Sequence, residues 1–242
     1  MSAGGPPAPP LPETQVGPAR VWCSGRAHGN VGDHVGDDPV VVARNRAELR
    51  ARTAGSGSTG LVWVRQVHGR AVHLATSAEP AANGAPAPIA DAIVTATRGV
   101  SLAIVTADCA PLVVACDDAV GVVHAGHPGL ANGVIEAAVA RLREIGRGEV
   151  RAFLGPCIRA PRYEFGVDAL AQFVAQFGSV AEGRTREGRP ALDIPAAIGV
   201  VLDRIGVVEF ADCGICTADD DGYFSYRRDG RTGRQATIAV LP

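Results

Sequence analysis

Lysine is absent from this chain: all 23 basic residues among its 242 are arginine. A Schiff base, including the attachment of pyridoxal phosphate, needs a lysine amine, and so does a phosphate-binding loop of the Walker type. Both chemistries are therefore excluded. Any phosphate or carboxylate bound by this protein must be held by arginine, by backbone N–H groups or by a metal ion.

A second absence concerns the segment 1–20, which contains no apolar run that could serve as a signal peptide or a membrane span. We therefore expect a cytoplasmic protein with reduced thiols. The same segment is rich in proline and glycine and is predicted to be a disordered leader. The segment 21–242 has no marked linker and is predicted to form one domain, because 47% of all residues are hydrophobic and can fill a sizeable core.

Neither the charge nor the cysteine spacing points to a specialised partner. The formal net charge of -2 argues against nucleic acid as the main partner. The six cysteines are scattered and do not resemble a disulfide framework. Cys213 and Cys216 form a CxxC pair, but no second pair completes a zinc half-site, and the acidic residues that follow disfavour a redox dithiol. We expect a structural role for this pair.

The most apolar part of the chain, 101–130, carries chemically reactive residues at its turns. Its valine- and isoleucine-rich runs are typical of strands covered on both faces. Three strands are predicted here: 101–106, 112–115 and 120–123. Cys109 follows the first of them at a sharp break, the Asp117-Asp118 pair predicts a hairpin turn, and His124 ends the third. A glycine turn then leads into an amphipathic helix that extends to Ile145.

The remaining pattern predicts further helices and strands on both sides of this stretch. The predicted helices are 40–50, 167–177 and 194–205, and Asp193 is expected to cap the last of them. The additional predicted strands are 21–24, 61–68, 70–74, 150–154, 207–210 and 237–241. His68 would stand at the end of its strand, on the same side as Gln66.

Two motifs in the apolar stretch resemble those of a known family. TADCAPLVVAC and HAGHPGL are similar to the TADC-x-P and HAGWRG motifs of the laccase-domain family, the multicopper-independent polyphenol oxidases that are also described as purine nucleoside phosphorylases. Other landmarks occur along 36–236 in the family's order: GDDPVVVARNRAEL, RQVHG, ADAIVT, LGPCI, YEFG and FSYRRDGRTGRQA. The resemblance implies an α/β fold of the α+β sandwich kind, a single compact domain of mixed β-sheets with helices packed outside.

The resemblance also implies a metal site, which the spacing of the residues alone would not select. It assigns His68, Cys109 and His124 as ligands. Two imidazoles and one thiolate leave one tetrahedral position of Zn²⁺ open for water or substrate, as a catalytic site requires, and copper is an alternative metal. Gln66 and Asp108 are candidates for contacts to the ligands or the substrate. Asp108 would hold a ligand histidine in its tautomer or simply cap its turn.

The activity implied by the resemblance is phosphorolysis of adenosine, inosine or guanosine to the base and ribose 1-phosphate, with adenosine deamination and methylthioadenosine cleavage alongside. The expected partners are a purine nucleoside and phosphate, with neither nucleic acid nor a membrane. Arg46 matches the family's Asn-Arg motif and would supply charge to phosphate or a leaving group.

Three alternatives to this activity stay open. The first is oxidation of phenols by copper at the same ligands, although no multicopper His-x-His array is present. The second is a Cys/His hydrolase with Cys109 as nucleophile and His124 as base. The third is a non-enzymatic, metal-binding regulator.

The chain departs from the family motif at His127-Pro128, where tryptophan and arginine are usual. The missing arginine removes an expected anion contact and puts phosphate dependence in doubt. His127 could be a fourth metal ligand, a proton-transfer group beside the site or an exposed turn residue. Because Gly126 and Pro128 force a turn after His124, the two rings are expected to diverge, which favours the second and third roles.

Overall fold

The computed structural model describes residues 9–77 and 86–242, and the structural statements below concern those residues. The helices are α1 Pro39–Thr53, α2 His127–Ala131, α3 Val134–Ile145, α4 Val167–Phe177, α5 Ile194–Arg204 and α6 Tyr226–Asp229. The strands are β1 Glu13–Val16, β2 Ala19–Cys23, β3 Gly60–Val62, β4 Val72–Leu74, β5 Ala92–Thr95, β6 Val100–Thr106, β7 Ala110–Ala115, β8 Val120–Ala125, β9 Arg151–Leu154, β10 Glu182–Arg184, β11 Pro190–Leu192, β12 Glu209–Asp212 and β13 Gln235–Val240.

Within 9–77 and 86–242, the strands form two large mixed sheets and one small hairpin. The five-stranded sheet has the order β1-β2-β13-β6-β3, and the six-stranded sheet has the order β12-β9-β7-β8-β5-β4. Most neighbours are antiparallel, but β3 with β6, β4 with β5 and β9 with β12 are parallel. Strands β10 and β11 pair separately. The prediction of mixed sheets in an α/β fold is confirmed.

The two large sheets pack face to face, with helices on their outer faces. Leu102 and Ile104 from the five-stranded sheet and Val113 and Val122 from the six-stranded sheet share one buried cluster. A second cluster joins the other face of the six-stranded sheet to α3, α4 and α5. A third places Leu49 of α1 against the outer face of the five-stranded sheet. The core is therefore layered as helix, sheet, sheet, helix.

Strand β6 illustrates why the longest apolar run could be recognised as a buried strand. Leu102 and Ile104 belong to the cluster between the sheets, whereas Ala103 and Val105 belong to the cluster under α1. Both faces of the strand are thus covered, so the sequence has no polar alternation. Each fully buried leucine or isoleucine in such a position stabilises the fold by about 1.5–3 kcal/mol.

The predicted boundaries of several helices are confirmed by their caps. The Asp38 side chain accepts a hydrogen bond from the Val40 N–H at the start of α1, and Asp193 accepts one from Ala196 at the start of α5. Gly178 ends α4 with a positive φ of 88°. Within the described ranges, no helix is long and apolar enough to cross a membrane.

Three predictions about local structure are corrected. The leader expected over 1–20 is ordered in part, because Glu13–Val16 pairs with Ala19–Cys23 and extends the five-stranded sheet; 1–8 lie outside the described residues. The helix expected to run on to Ile145 is divided into α2 and α3, because Gly133 adopts a left-handed φ of 82° between them.

The third correction concerns the strand predicted over 61–68, because β3 ends at Val62. Beyond it the chain leaves the sheet, and Arg65 makes only an isolated bridge with Ile89. Alternating side chains favoured a strand, but the segment is instead shaped by polar contacts with residues distant in sequence. These contacts build the site described next.

Candidate metal centre

A cavity of about 420 Å³ lies where β6, β7 and β8 meet the loop that follows β3. It contains the three predicted ligands and both polar and apolar walls. Its lining comprises His34, Gln66, His68, Val105, Thr106, Ala107, Asp108, Cys109, His124, His127, Ile158, Tyr163, Ile194, Tyr226, Arg227 and Arg234.

His68, Cys109 and His124 converge at one wall of this cavity. One ligand atom from each lies within 4.8 Å of the other two. Cys109 Sγ is 3.6 Å from His68 Nε2, and the two imidazole rings are 4.7 Å apart between centroids in an edge arrangement. The described residues contain no other group of three His, Cys, Asp or Glu side chains placed to hold a metal ion. The cluster can bind a metal through two nitrogens and one sulfur.

The position of His68 depends on Asp91, a fully buried carboxylate just before β5. His68 has a left-handed φ of 59°, which is uncommon for a residue other than glycine. This conformation turns successive N–H groups toward one anion. Val67, His68 and Gly69 all donate backbone hydrogen bonds to the Asp91 carboxylate, at 3.2, 2.8 and 2.7 Å.

The same carboxylate orients the second imidazole. His124 Nδ1 lies 2.9 Å from Asp91 Oδ1, and both side chains are almost completely buried. Because a buried carboxylate beside Nδ1 holds a proton there, Nε2 is left as the coordinating nitrogen. Asp91 thus positions two of the three ligands: it binds the backbone of His68 and the imidazole ring of His124.

Gly126 allows the ligands to come this close. A β-carbon at this position would lie 2.7 Å from His68 Cδ2 and 3.2 Å from Cys109 Sγ. The first distance is shorter than real contacts of this kind, so any larger residue would push His68 away. The glycine in the HAG sequence is therefore required for the ligand geometry as well as for the turn.

Electrostatics prepare Cys109 as a ligand. Burial alone would raise the pKa of its thiol, but the charge of His124 and hydrogen bonds from His124 and His68 outweigh it and lower the pKa to about 6. For His124, burial opposes the charged form, while Cys109 and Asp91 raise the pKa to about 9. These shifts favour the thiolate, the form in which cysteine binds metal, and His124 coordinates a metal by losing the proton on Nε2. The donor set fits a soft or borderline metal ion.

Asp108 does not orient a ligand histidine, so that alternative is corrected. Its Oδ1 accepts a hydrogen bond from the Thr217 hydroxyl at 2.6 Å, and its Oδ2 accepts one from the Arg227 backbone N–H at 2.6 Å. Asp108 also has a positive φ of 93°. It fastens the start of α6 to the turn that carries Cys109 and so closes one side of the cavity.

Gln66 lines the cavity, but both of its polar ends are occupied by Val105. Its Nε2 donates to the Val105 carbonyl and its Oε1 accepts from the Val105 N–H, each at 2.8 Å. The Gln66 side-chain amide thereby makes the two backbone hydrogen bonds with Val105 that a neighbouring strand would otherwise make at the end of β6. Gln66 positions the segment that carries His68 and contacts no metal ligand directly.

Arg46 is not brought into the metal cavity. Its guanidinium stacks 4.6 Å above the Trp63 ring, and it contacts Asp33 at 3.2 Å and the Val31 carbonyl at 2.8 Å. These groups belong to an adjoining cleft of about 700 Å³. The two spaces share His34, Gln66 and Val105 as walls.

His127 lies in the cavity wall but apart from the metal cluster. The Tyr163 hydroxyl is 3.1 Å from His127 Nδ1, and the ring stands edge-on to Phe165 with 5.2 Å between centroids. Burial and the nearby charges of His68 and Arg227 lower its pKa. The structure therefore agrees with the divergence expected between His124 and His127.

Three important residues were not predicted from the sequence. Asp91 lies in the ADAIVT landmark, where a lone acid before an apolar strand was a usable signal. Arg227 and Arg234 lie in FSYRRDGRTGRQA, and both line the cavity. Several arginines occur in that landmark, so its sequence does not reveal which of them face the site.

Comparisons with known proteins identify relatives that match this chain over most of its length. The chain is 42% identical over 217 residues to a purine nucleoside phosphorylase of Streptomyces coelicolor, covering 88% of this chain and 87% of that protein. It is 41% identical over 220 residues to a purine nucleoside phosphorylase of Xylella fastidiosa, covering 88% and 84%.

Solved structures show the same fold. Protein NMB0706 of Neisseria meningitidis superimposes with a TM-score of 0.82 at 30% identity, covering 96% of this chain and 99% of that one. YlmD from Geobacillus stearothermophilus gives a TM-score of 0.79 at 28% identity, covering 98% and 94%. A family model described as multi-copper polyphenol oxidoreductase laccase matches 22–242. With most of its length matched, the chain belongs to this laccase family.

Proposed function

We propose that this protein is a zinc-dependent purine nucleoside phosphorylase of the cytoplasm, which cleaves adenosine, inosine or guanosine with phosphate. The observation that carries the proposal is the cavity in which His68, Cys109 and His124 converge beside aromatic and arginine side chains. The names of the relatives support the same activity.

Zinc would be held by His68 Nε2, the Cys109 thiolate and His124 Nε2. Three protein ligands leave a coordination position open, and zinc there would act as a Lewis acid toward a bound substrate or water. Asp91 supports the ligands by holding the His124 proton on Nδ1 and the His68 backbone in its left-handed turn. Copper would use the same three atoms, so metal analysis is required to distinguish the two ions.

The apolar part of the cavity suits a purine base. Val105, Ile158, Ile194 and Tyr163 contribute its walls, and together they exclude water from one side of a bound ligand. In phosphorolysis the ribose C1′–N9 bond breaks, its electron pair moves to the base, and the base gains a proton. We assign that proton transfer to His127, whose Nδ1 is engaged by Tyr163 and whose ring faces the same cavity.

Other activities compete at the same residues. Adenosine deamination and methylthioadenosine cleavage would share the purine pocket, and copper-dependent phenol oxidation would share the ligands. A Cys/His hydrolase would use Cys109 as a nucleophile, which a bound metal would prevent. A metal-binding regulator would hold zinc without turnover.

The decisive experiment measures metal content and base release on the same purified protein. We expect one zinc per chain, and release of hypoxanthine from inosine that depends on phosphate and forms ribose 1-phosphate. Ammonia release from adenosine reports deamination, and oxidation of a phenol after copper loading reports the oxidase. Zinc binding with no turnover of any nucleoside would contradict the proposal and favour the regulator.

Replacing His127 with alanine is expected to keep zinc bound and to lower kcat/KM by about 100-fold, a typical contribution of a positioned proton donor or acceptor. The wild-type pH profile should contain a group that titrates below the ordinary histidine pKa, because burial and the charges of His68 and Arg227 lower the pKa of His127. The change in kcat/KM with pH caused by this group should disappear in His127→Ala. His73→Ala, in β4 outside the cavity, is the matched control and should show the same pH profile as wild type.

Arg46→Ala is expected to leave zinc unchanged and to lower turnover by at least about 10-fold. The reason is that Arg46 orders the cleft beside the metal cavity through its contacts with Trp63 and Asp33, and a charged hydrogen bond is worth about 1.5–3 kcal/mol. Arg44→Ala removes a neighbouring exposed guanidinium of α1 and serves as the control. Equal turnover in both variants would reduce Arg46 to a surface residue.

A further inference from the structure

Two arginines of the metal cavity, Arg227 and Arg234, form no ion pair with an acidic side chain of the described residues. Arg227 donates from its guanidinium to the Glu164 carbonyl at 3.1 Å, and Arg234 donates to the Thr232 and Gly233 carbonyls at 2.9 and 3.0 Å. Across the described ranges, neither guanidinium lies within 4 Å of a carboxylate. Carbonyl oxygens satisfy some of their N–H groups but do not neutralise their charge.

The hydroxyl group of Thr106 lies on the same wall and is also unpaired among the residues that the structure describes. Thr106 ends β6 and pairs in the sheet with Gln235, the residue directly after Arg234. Its side chain lines the cavity and is only 2% exposed, yet its Oγ1 has no hydrogen-bond partner within the described part of the protein. Buried hydroxyls are almost always hydrogen-bonded, so this one is available to donate to a ligand.

The partial burial of Arg234 and the full burial of the Thr106 hydroxyl are unfavourable unless an anion joins them, whereas Arg227 is exposed. Desolvation of a cation destabilises the folded state, and burial lowers the pKa of Arg234 even though Cys109 and Asp108 oppose the shift. Among the described residues that line the cavity, Asp108 is the one carboxylate, and it is already engaged by Thr217 and by the Arg227 backbone N–H. Pro128 stands where the family motif has arginine, so the start of α2 offers no guanidinium.

We propose that Arg234, Arg227 and Thr106 form a subsite for a tetrahedral oxyanion, occupied during turnover by inorganic phosphate as the second substrate. The identity of the anion rests on the proposed function. Guanidinium groups bind phosphate through two parallel N–H bonds, and the threonine hydroxyl donates a further one.

The subsite gives the reaction its nucleophile. A phosphate oxygen forms a bond to ribose C1′ while the C1′–N9 bond breaks. The electron pair of that bond leaves with the purine, which is protonated, and the products are the free base and ribose 1-phosphate. Without a held phosphate, water would be the only abundant nucleophile and the products would be free base and ribose.

Calorimetric titration of the zinc-loaded full-length protein with inorganic phosphate tests the subsite directly. We expect Arg234→Gln to weaken phosphate binding by about 10- to 100-fold, as the loss of a hydrogen-bonded charge predicts. Thr106→Val retains the shape but not the hydroxyl, and should weaken binding by about 3- to 10-fold. Arg231→Gln is the matched control, because its side chain donates to the Val35 carbonyl outside the cavity. Zinc content is measured for each variant.

Kinetics with inosine provide the second measurement. Arg234→Gln should raise the KM for phosphate far more than the KM for inosine. If wild type does not bind phosphate, or if wild type and Arg234→Gln bind it equally, the subsite is overturned. Preferential binding of a nucleoside 5′-monophosphate, with no ribose 1-phosphate formed, would also overturn it, since Arg234 would then hold the substrate's own phosphate.

The two proposals fail separately. If phosphate binds to wild type and not to Arg234→Gln while no nucleoside is cleaved, the subsite is supported and the phosphorylase function is wrong. If inosine is cleaved to free ribose and phosphate does not bind, nucleoside cleavage stands and the subsite is overturned.

Discussion

Replacing Cys109 with serine is expected to remove most of the bound zinc and, with it, the release of base from inosine. Cys109 supplies the only sulfur of the three-residue cluster. Burial raises the pKa of its thiol, but His124 and His68 lower it further, to about 6. A serine hydroxyl stays protonated at neutral pH and is a poor zinc ligand. Losing a supporting residue alone weakens metal binding by about 10–100-fold, so loss of a ligand should exceed 100-fold.

The control for this result is Cys213→Ser. Cys213 is half-buried like Cys109, but it belongs to the CxxC pair outside the cavity. We expect this variant to bind one zinc with unchanged affinity, measured by metal analysis after dialysis against a chelator. Circular dichroism and the melting temperature report whether either variant unfolds. Full zinc content in folded Cys109→Ser would refute the assignment of the ligands.

The hairpin between β7 and β8 explains how much of this site the sequence could predict. A turn at Asp117-Asp118 sets the antiparallel register, in which Ala110 pairs with Ala125. That register places Cys109 opposite Gly126 and close to His124. The proximity of two ligands therefore follows from a turn signal and two buried strands, both of which are readable in the sequence.

His68 could not be placed in the same way. Its segment alternates in polarity as a strand does, yet the chain leaves the sheet after Val62. The reason lies in distant partners: Val105 binds the Gln66 amide, and Asp91 binds the backbone of His68. Such long-range polar contacts outweigh local periodicity, and only the family resemblance pointed to His68.

The roles of the charged residues were the least predictable part. Asp108 was expected to orient a ligand histidine or to cap its turn, and its side chain contacts Thr217 and the start of α6 and not a ligand histidine. The carboxylate that orients His124 is Asp91, which is 33 positions away in the sequence. Arg46 was predicted to supply charge to phosphate or a leaving group, and its side chain lies in the adjoining cleft against Trp63 and Asp33. Side-chain direction in these cases depends on the packing of separate elements, which sequence spacing does not reveal.

The central position of Asp91 leads to the second large effect. Asp91→Asn is expected to lower zinc affinity by about 10–100-fold and the free energy of unfolding by about 3 kcal/mol. The carboxylate accepts hydrogen bonds from three successive backbone N–H groups and from His124. An asparagine has only one acceptor oxygen. Its NH₂ group must therefore face either the Gly69 N–H or the donors of His68 and His124. One buried donor is then left without an acceptor.

Asp203→Asn is the matched control, because it removes the same charge from an exposed position on α5. Its zinc affinity and denaturant midpoint should equal those of wild type. For Asp91→Asn we expect a lower midpoint even after zinc is removed by a chelator, because the contacts to the 67–69 backbone exist without metal. A loss of affinity with no change in metal-free stability would mean that Asp91 acts only on the tautomer of His124. A loss of stability with unchanged affinity would mean that it supports the fold alone and that the ligands find their geometry without it.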